Sequence, residues 1–76
     1  MKPKTHLTMF AHRLRRAREE AGLSRQSLED AAHLSHGCIV KHLEDGRRGC
    51  NLLTAISLAK ALHVSLDWLC GFDLDE

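Results

Sequence analysis

The connection between two short helical blocks near the middle of the chain constrains the fold most. Only three residues, His33-Leu34-Ser35, separate the two blocks. The residues expected to face inward are Leu28, Ala31 and Ala32 in the first block and Ile39 and Leu43 in the second. Two helices that meet across so tight a turn cannot bury their apolar faces on each other alone. A third helix must therefore close the core, and the second helix of the pair is expected to project with a polar outer face.

Cap and stop signals divide the rest of the chain into further short helices. Candidate N-caps are Thr8, Ser24, Ser35, Asn51 and Ser65, and candidate stops are Gly22, Gly46 and Gly71. The other positions expected to face inward are Phe10, Leu14, Ala17, Ala21, Leu52, Ala55, Ile56, Ala59, Leu62, Leu66 and Leu69. Apolar residues at these spacings predict helix, and no segment shows the alternation typical of a strand. The sequence therefore predicts an all-α fold, a compact five-helix bundle.

Charge is distributed unevenly along the chain, although the formal net charge is only +1. The stretch 2–25 contains seven Lys and Arg residues against two acidic ones, whereas Asp67, Asp73, Asp75 and Glu76 make the C-terminal end acidic. Such polarity can orient a protein on a polyanion. The arginines can equally form an ordinary solvated helix face, so charge alone does not decide between these interpretations.

Several classes of protein find no support in the sequence. Cys38, Cys50 and Cys70 are an odd number without close pairing, which argues against a disulfide framework. Structural zinc needs four converging ligands, commonly in Cys-x-x-Cys pairs, and the chain has no such pair. No recognised catalytic or phosphate-loop motif occurs, so we expect no catalytic residue, cofactor, metal or small-molecule ligand. No stretch resembles a membrane span or signal peptide, and we expect a cytoplasmic protein.

Several motifs together resemble the phage repressor/Cro-like (XRE-type) helix-turn-helix family. They are GLSRQSL at 22–28, LS at 34–35, LEDGRR at 43–48 and LAKALHVSLDWL at 58–69. They occur in the order found in that family, and the resemblance extends over about residues 10 to 71. It implies a lambda-repressor-like DNA-binding domain of five helices, usually dimeric, whose third helix reads DNA bases.

The resemblance also implies roles for particular charged residues. Arg18 and Glu44 stand at the positions of a structural ion pair that ties the reading helix to the scaffold. The residues expected to contact DNA phosphates are Arg25 and Gln26, at the start of the second helix, and Arg47 and Arg48, in the loop after the third.

The chain departs from the family pattern around the reading helix. His33 replaces the usual glycine of the turn, Cys50 replaces a loop proline, and the segment from Ser35 to Gly46 is one residue longer. An extra residue rotates the following side chains by about 100°, so two registers are open. Counted from Ser35, the outward residues are His36, Gly37, Val40 and Lys41, and counted back from Gly46 they are Gly37, Cys38, Lys41 and His42. The candidate base-reading residues are His36, Gly37, Lys41 and His42.

Apolar residues beyond the needs of a small core predict a dimer interface. The candidates are Leu53, Trp68, Phe72 and Leu74. We expect three regions, a flexible tail at 1–7, the helix-turn-helix domain at 8–71 and an acidic tail at 72–76.

The predicted function is sequence-specific binding of double-stranded DNA as a dimeric repressor, able to regulate its own synthesis through a palindromic operator. The alternative is a helical module that binds a protein partner and has weak or lost DNA binding, because Gly37, Cys38 and Val40 are poor base readers.

Overall fold

Five α-helices follow one another in the computed structural model, which describes residues 6–34 and 38–71. They are α1 His6–Glu20, α2 Arg25–Ala31, α3 Ile39–Glu44, α4 Leu52–Leu62 and α5 Leu66–Cys70. The prediction of an all-helical, five-helix domain is thus confirmed. No helix within the described ranges combines the length and the apolar character needed to cross a membrane.

Polar side chains start three of the helices as the sequence predicts. Ser24, Asn51 and Ser65 each accept a hydrogen bond from the backbone N–H three residues further on, at 3.0, 2.8 and 3.0 Å respectively. Each bond satisfies one of the N–H groups that a helix start leaves without an intrahelical partner. At the other end, Gly22 follows α1 with φ +74° and Gly71 caps α5 with φ +79°.

The core lies where the five helices meet. Its fully buried side chains are Leu14, Leu28, Val40, Leu43, Leu58 and Leu69. Helix α1 packs against α3 and α5, α2 packs against α3 and α4, and α4 packs against α5. The short α3 is therefore supported by α1 and by α2 together.

The first helix begins earlier than the cap signal predicts. Thr8 is not its N-cap but an exposed residue inside α1, which already includes His6 and Leu7. Leu7 is half-buried and lines an apolar cavity with Phe10, so burial of apolar surface favours the longer helix. Of the predicted tails, residues 1–5 and 72–76 lie outside the described residues.

Three positions predicted to face inward are exposed. Ala21 follows the end of α1, Ala31 ends α2, and Leu52, at the first position of α4, is 64% exposed. The buried face of α4 is formed instead by Ala55, Leu58, Ala59 and Leu62. Those four residues repeat at helical spacing, whereas the positions at helix ends project beyond the neighbouring helices.

The connection between α2 and α3 is longer than the predicted three-residue turn. Helix α2 ends at Ala31 and α3 begins at Ile39, not near Ser35. Cys38 has φ +60°, a left-handed conformation that no α-helix can pass through, so α3 starts only after it. His33, which replaces the usual glycine of this connection, is also left-handed with φ +58°. Ser35 itself lies outside the described residues.

Candidate nucleic-acid interface

The orientation of α3 is fixed by which of its residues are buried. Val40 and Leu43 are fully buried, whereas Cys38 and Lys41 are exposed and His42 is half-buried. The register counted from Ser35 places Val40 outward and is therefore wrong. The burial of Val40 and the exposure of Cys38 and Lys41 agree with the register counted back from Gly46, which places Cys38 and Lys41 outward.

Two buried carboxylates hold the two ends of α3. At its start, Glu29 of α2 is only 6% exposed, and its Oε2 accepts a hydrogen bond from the backbone N–H of Val40 at 3.0 Å. At its end, the side chain of Glu44 is only 1% exposed. The role of Glu29 could not be predicted from the sequence, since a glutamate on a short amphipathic helix gives no signal that distinguishes it from a solvated one.

Glu44 is balanced by two arginines from different helices. Arg18 of α1 donates from Nε to Oε2 at 2.6 Å and from Nη2 to Oε1 at 3.3 Å, and Arg25 of α2 donates from Nε to Oε1 at 3.1 Å. The bond to Glu44 raises the pKa of the Arg18 guanidinium, although partial burial acts in the opposite direction. The structure thus brings Arg18 and Glu44 together, and the cluster joins α1, α2 and α3.

The same cluster orients Arg25, one of the predicted phosphate contacts. Its Nε is engaged by Glu44, while 41% of its side chain stays exposed. A guanidinium is planar and carries five donors, so the bond at Nε directs the outer edge of the group towards solvent. The neighbouring Gln26 is exposed at the same end of α2.

The loop after α3 adds two exposed arginines. Arg47 is 69% exposed and its Nε lies 3.7 Å from Oδ2 of Asp45. A pair of this kind on the surface is weak, with a contribution of about 0–1 kcal/mol, and it can exchange for a phosphate. Arg48 is exposed, as is Lys41 of α3, and neither side chain forms an ion pair or hydrogen bond with the described residues. Lys41 and His42 are the two predicted base readers that the structure describes, while His36 and Gly37 lie outside it.

The arginines of α1 contribute little free positive charge. Arg15 pairs with Glu19 and Arg16 with Glu20, both at 3.1 Å and one helical turn apart. The interpretation as a solvated helix face therefore describes these two residues better than an anion-binding patch.

The predicted dimer residues fall into three groups. Leu53 is 74% exposed and stands beside the exposed Leu52 at the start of α4. Trp68 is half-buried; the Arg13 guanidinium lies 5.0 Å from its ring centroid, and Nη1 of Arg13 donates to its carbonyl oxygen. Phe72 and Leu74 lie outside the described residues. An apolar cavity of about 270 Å³ lies near the start of α4, lined by Leu7, Phe10, Gly49, Cys50, Ala55 and Cys70.

The remaining reactive side chains form no second site. Within residues 6–34 and 38–71, no three His, Cys, Asp or Glu side chains converge as metal ligands, and the three cysteines are free thiols. Burial raises the pKa of the Cys50 and Cys70 thiols, so both are protonated at neutral pH.

Comparison with known proteins agrees with this arrangement. A profile described as helix-turn-helix domain matches residues 9–69. The crystal structure of the restriction-modification controller protein C.AhdI from Aeromonas hydrophila is similar, with a TM-score of 0.76 and 33% sequence identity over 83% of this chain and 94% of that one. No curated protein sequence matches. The chain therefore belongs to the helix-turn-helix family of DNA-binding transcriptional regulators, which are not enzymes.

Proposed function

We propose that this protein binds a specific operator in double-stranded DNA as a homodimer and represses transcription, with the exposed side of α3 in the major groove. The observation that carries the proposal is the orientation of α3. Its buried Val40 and Leu43 anchor it to the core, and its exposed Lys41 points away from that core. An ammonium group on a projecting helix can donate to the O6 and N7 acceptors of guanine.

Positive side chains flank α3 at the places where phosphates would lie. Arg25 precedes it in the chain on α2, and Arg47 and Arg48 follow it in the loop. Arg25 is held in place by Glu44 before any DNA arrives, which lowers the entropy lost on binding. Together with Lys41, these arginines make four cations on or close to α3 in a protein whose net charge is only +1.

The exposed apolar pair Leu52 and Leu53 supports the proposal of a dimer. The two side chains are 64% and 74% exposed and adjacent at the start of α4, and exposed apolar neighbours on a small domain favour a subunit contact. A two-fold dimer would present two copies of α3 about one DNA turn, or ~34 Å, apart. The operator is then a palindrome.

The likeness to a restriction-modification controller protein supports a role as a regulator that controls its own synthesis. We propose that this protein acts on an operator near its own gene, so that its concentration sets its own synthesis. A reporter gene fused to that upstream region is expected to be repressed when the protein is supplied in trans, and unchanged expression would contradict autoregulation.

The test of the function is selection of bound duplexes from a randomised DNA pool at moderate salt. We expect a palindromic motif with half-sites separated by one helical turn, about 10 base pairs. The enriched motif then serves in titrations at several salt concentrations, where each lost phosphate contact reduces the salt slope by about 1.

Charge reversal separates DNA binding from binding to a protein partner. Replacing Lys41, Arg47 or Arg48 by Glu is expected to abolish binding to the selected motif, because these cations are exposed. Lys60→Glu is the matched control, because Lys60 is an exposed cation on α4 and the charge changes by the same amount. If the pool yields no motif, or if the three reversals behave like the control, the domain serves as a protein-binding module instead.

A further inference from the structure

Glu29 is a buried carboxylate that forms no ion pair with a cation among the described residues. It lies on α2, is 6% exposed, and its one hydrogen-bond partner among the described residues is the backbone N–H of Val40 at 3.0 Å. Glu44, the other buried carboxylate of this region, is paired with two arginines. Burial of a carboxylate is costly unless polar contacts compensate for the lost water. The hydrogen bond from the Val40 N–H is such a contact.

Among the described residues, no side chain from the segment of α3 itself caps the start of this helix. Ser24, Asn51 and Ser65 cap α2, α4 and α5 from within their own sequence. The N-cap position of α3 is Cys38, which makes no capping hydrogen bond. The carboxylate of Glu29 takes over that function from the neighbouring helix, and its negative charge lies at the positive end of α3.

The contact also decides how α3 is placed against α2. Val40 is the second residue of α3 and is fully buried. Fixing its N–H to Glu29 determines the point along the chain at which the helix begins, and so determines which residues turn outward. In a helix of only six residues, a shift of one residue would rotate Lys41 by about 100°.

We propose that Glu29 is a positioning residue for DNA recognition, which sets the register and direction of α3 and thereby the base preference of Lys41. This inference rests on the proposed function, since it presupposes that α3 reads DNA. Glu29 touches no DNA in this arrangement. It acts on specificity through Val40, while the phosphate contacts of Arg25 and the loop arginines do not depend on it.

The experiment compares four proteins: wild type, Glu29→Met, Glu29→Gln and Asp30→Asn. Methionine fills a similar volume but leaves the Val40 N–H without an acceptor, whereas the glutamine amide oxygen can still accept the bond. Asp30 is the exposed neighbour on the same helix, and its change to Asn removes the same charge as Glu29→Gln. The measured quantity is the ratio of the Kd for random DNA to the Kd for the selected operator, with the salt slope recorded alongside.

We expect Glu29→Met to lower this ratio by about tenfold or more, the size of one lost base contact, at an unchanged salt slope. Glu29→Gln and Asp30→Asn are expected to stay within about threefold of wild type. Circular dichroism establishes that each variant is folded. If Glu29→Met does not fold, Glu29→Asp replaces it, because it keeps the charge but withdraws the carboxylate from Val40, and the same loss is expected.

The two proposals fail in different ways. A wild-type protein that selects no motif would overturn the proposed function and this inference with it. A wild-type protein that selects a motif, together with a folded Glu29→Met or Glu29→Asp variant that keeps the full ratio, would overturn this inference alone. Lower thermal stability with an unchanged ratio would assign Glu29 a purely structural role.

Discussion

Arg18 and Glu44 join the first helix to the end of the third through a hydrogen bond of 2.6 Å between Nε and Oε2. The two side chains are 11% and 1% exposed, so water screens their attraction little. Another nitrogen of Arg18, Nη1, donates to the carbonyl oxygen of Leu23 at 2.8 Å, in the turn that leads into α2. One arginine thus connects three consecutive elements of the domain.

Loss of Arg18 is expected to destabilise the domain strongly. Arg18→Met leaves the buried carboxylate of Glu44 with Arg25 as its remaining cation, and breaking a buried pair costs about 3 kcal/mol of the free energy of unfolding. Arg16→Met is the matched control, because Arg16 pairs with Glu20 in a fully solvated position, 73% and 66% exposed, and such pairs change stability by less than about 1 kcal/mol. Urea titration measures both. Equal effects of the two substitutions would contradict the structural role of the pair.

The register of α3 leads to opposite expectations for two adjacent residues. Val40→Ala removes two buried methyl groups and should lower the free energy of unfolding by about 2 kcal/mol. Lys41→Ala should leave stability within about 0.5 kcal/mol, yet reduce the preference for the selected operator by about tenfold. Thermal unfolding and operator titration of both variants measure these effects. A stable Val40→Ala protein with altered base preference would instead place Val40 in the groove.

Much of the fold could be predicted because its signals are local. A helix start can be predicted from its N-cap residue because the capping hydrogen bond lies within four residues of the chain, as at Ser24, Asn51 and Ser65. The positions of α2, α4 and α5 follow from them. The pairing of Arg18 with Glu44 was implied by family resemblance alone, because the residues are 26 positions apart in the chain.

The start of α3 could not be predicted, since it depends on a contact between helices. Glu29 reaches Val40 across 11 positions of sequence, and nothing local marks Cys38 as left-handed. Ser35 looks like a cap in the sequence, but φ +60° at Cys38 separates it from α3. The exposure of Leu52 could not be predicted either, because helical periodicity does not reveal that the first residue of α4 projects past the core.

Replacement of the Asn51 side chain should weaken the start of α4. Its Oδ1 accepts from the N–H of Thr54 at 2.8 Å, and loss of such a cap costs about 1 kcal/mol. Asn51→Ala is expected to show this loss in urea titration, whereas Asn51→Ser, which keeps an acceptor oxygen, should recover most of it. If serine and alanine are equally destabilising, the cap is not the source of the effect.

Stability is expected to fall on the alkaline side because of two thiols. Burial raises the pKa of both thiols in the folded protein above the unfolded value of about 8.5. For Cys50, the nearby Cys70 raises the pKa further. Below the unfolded value, both states keep the proton and the stabilisation is complete. As the pH rises through the folded pKa, this stabilisation is lost, because the thiols of the unfolded chain release their protons at a lower pH. Urea midpoints between about pH 8 and 10 should therefore decline less steeply in the Cys50→Ala, Cys70→Ala double variant, and an unchanged decline would contradict the assignment.

Leu53 provides the most direct test of the proposed dimer. A charge at a position that is 74% exposed in the single chain costs little in a monomer but has to be desolvated in a subunit contact. Leu53→Glu is therefore expected to raise the dimer dissociation constant by at least about tenfold, equivalent to ~1.4 kcal/mol, with little change in thermal unfolding of the monomer. Ala21→Glu adds the same charge at an exposed position in the turn after α1 and serves as the control. Sedimentation equilibrium measures both against the 8.5 kDa monomer, and an association constant that Leu53→Glu leaves unaltered would remove the start of α4 from the interface.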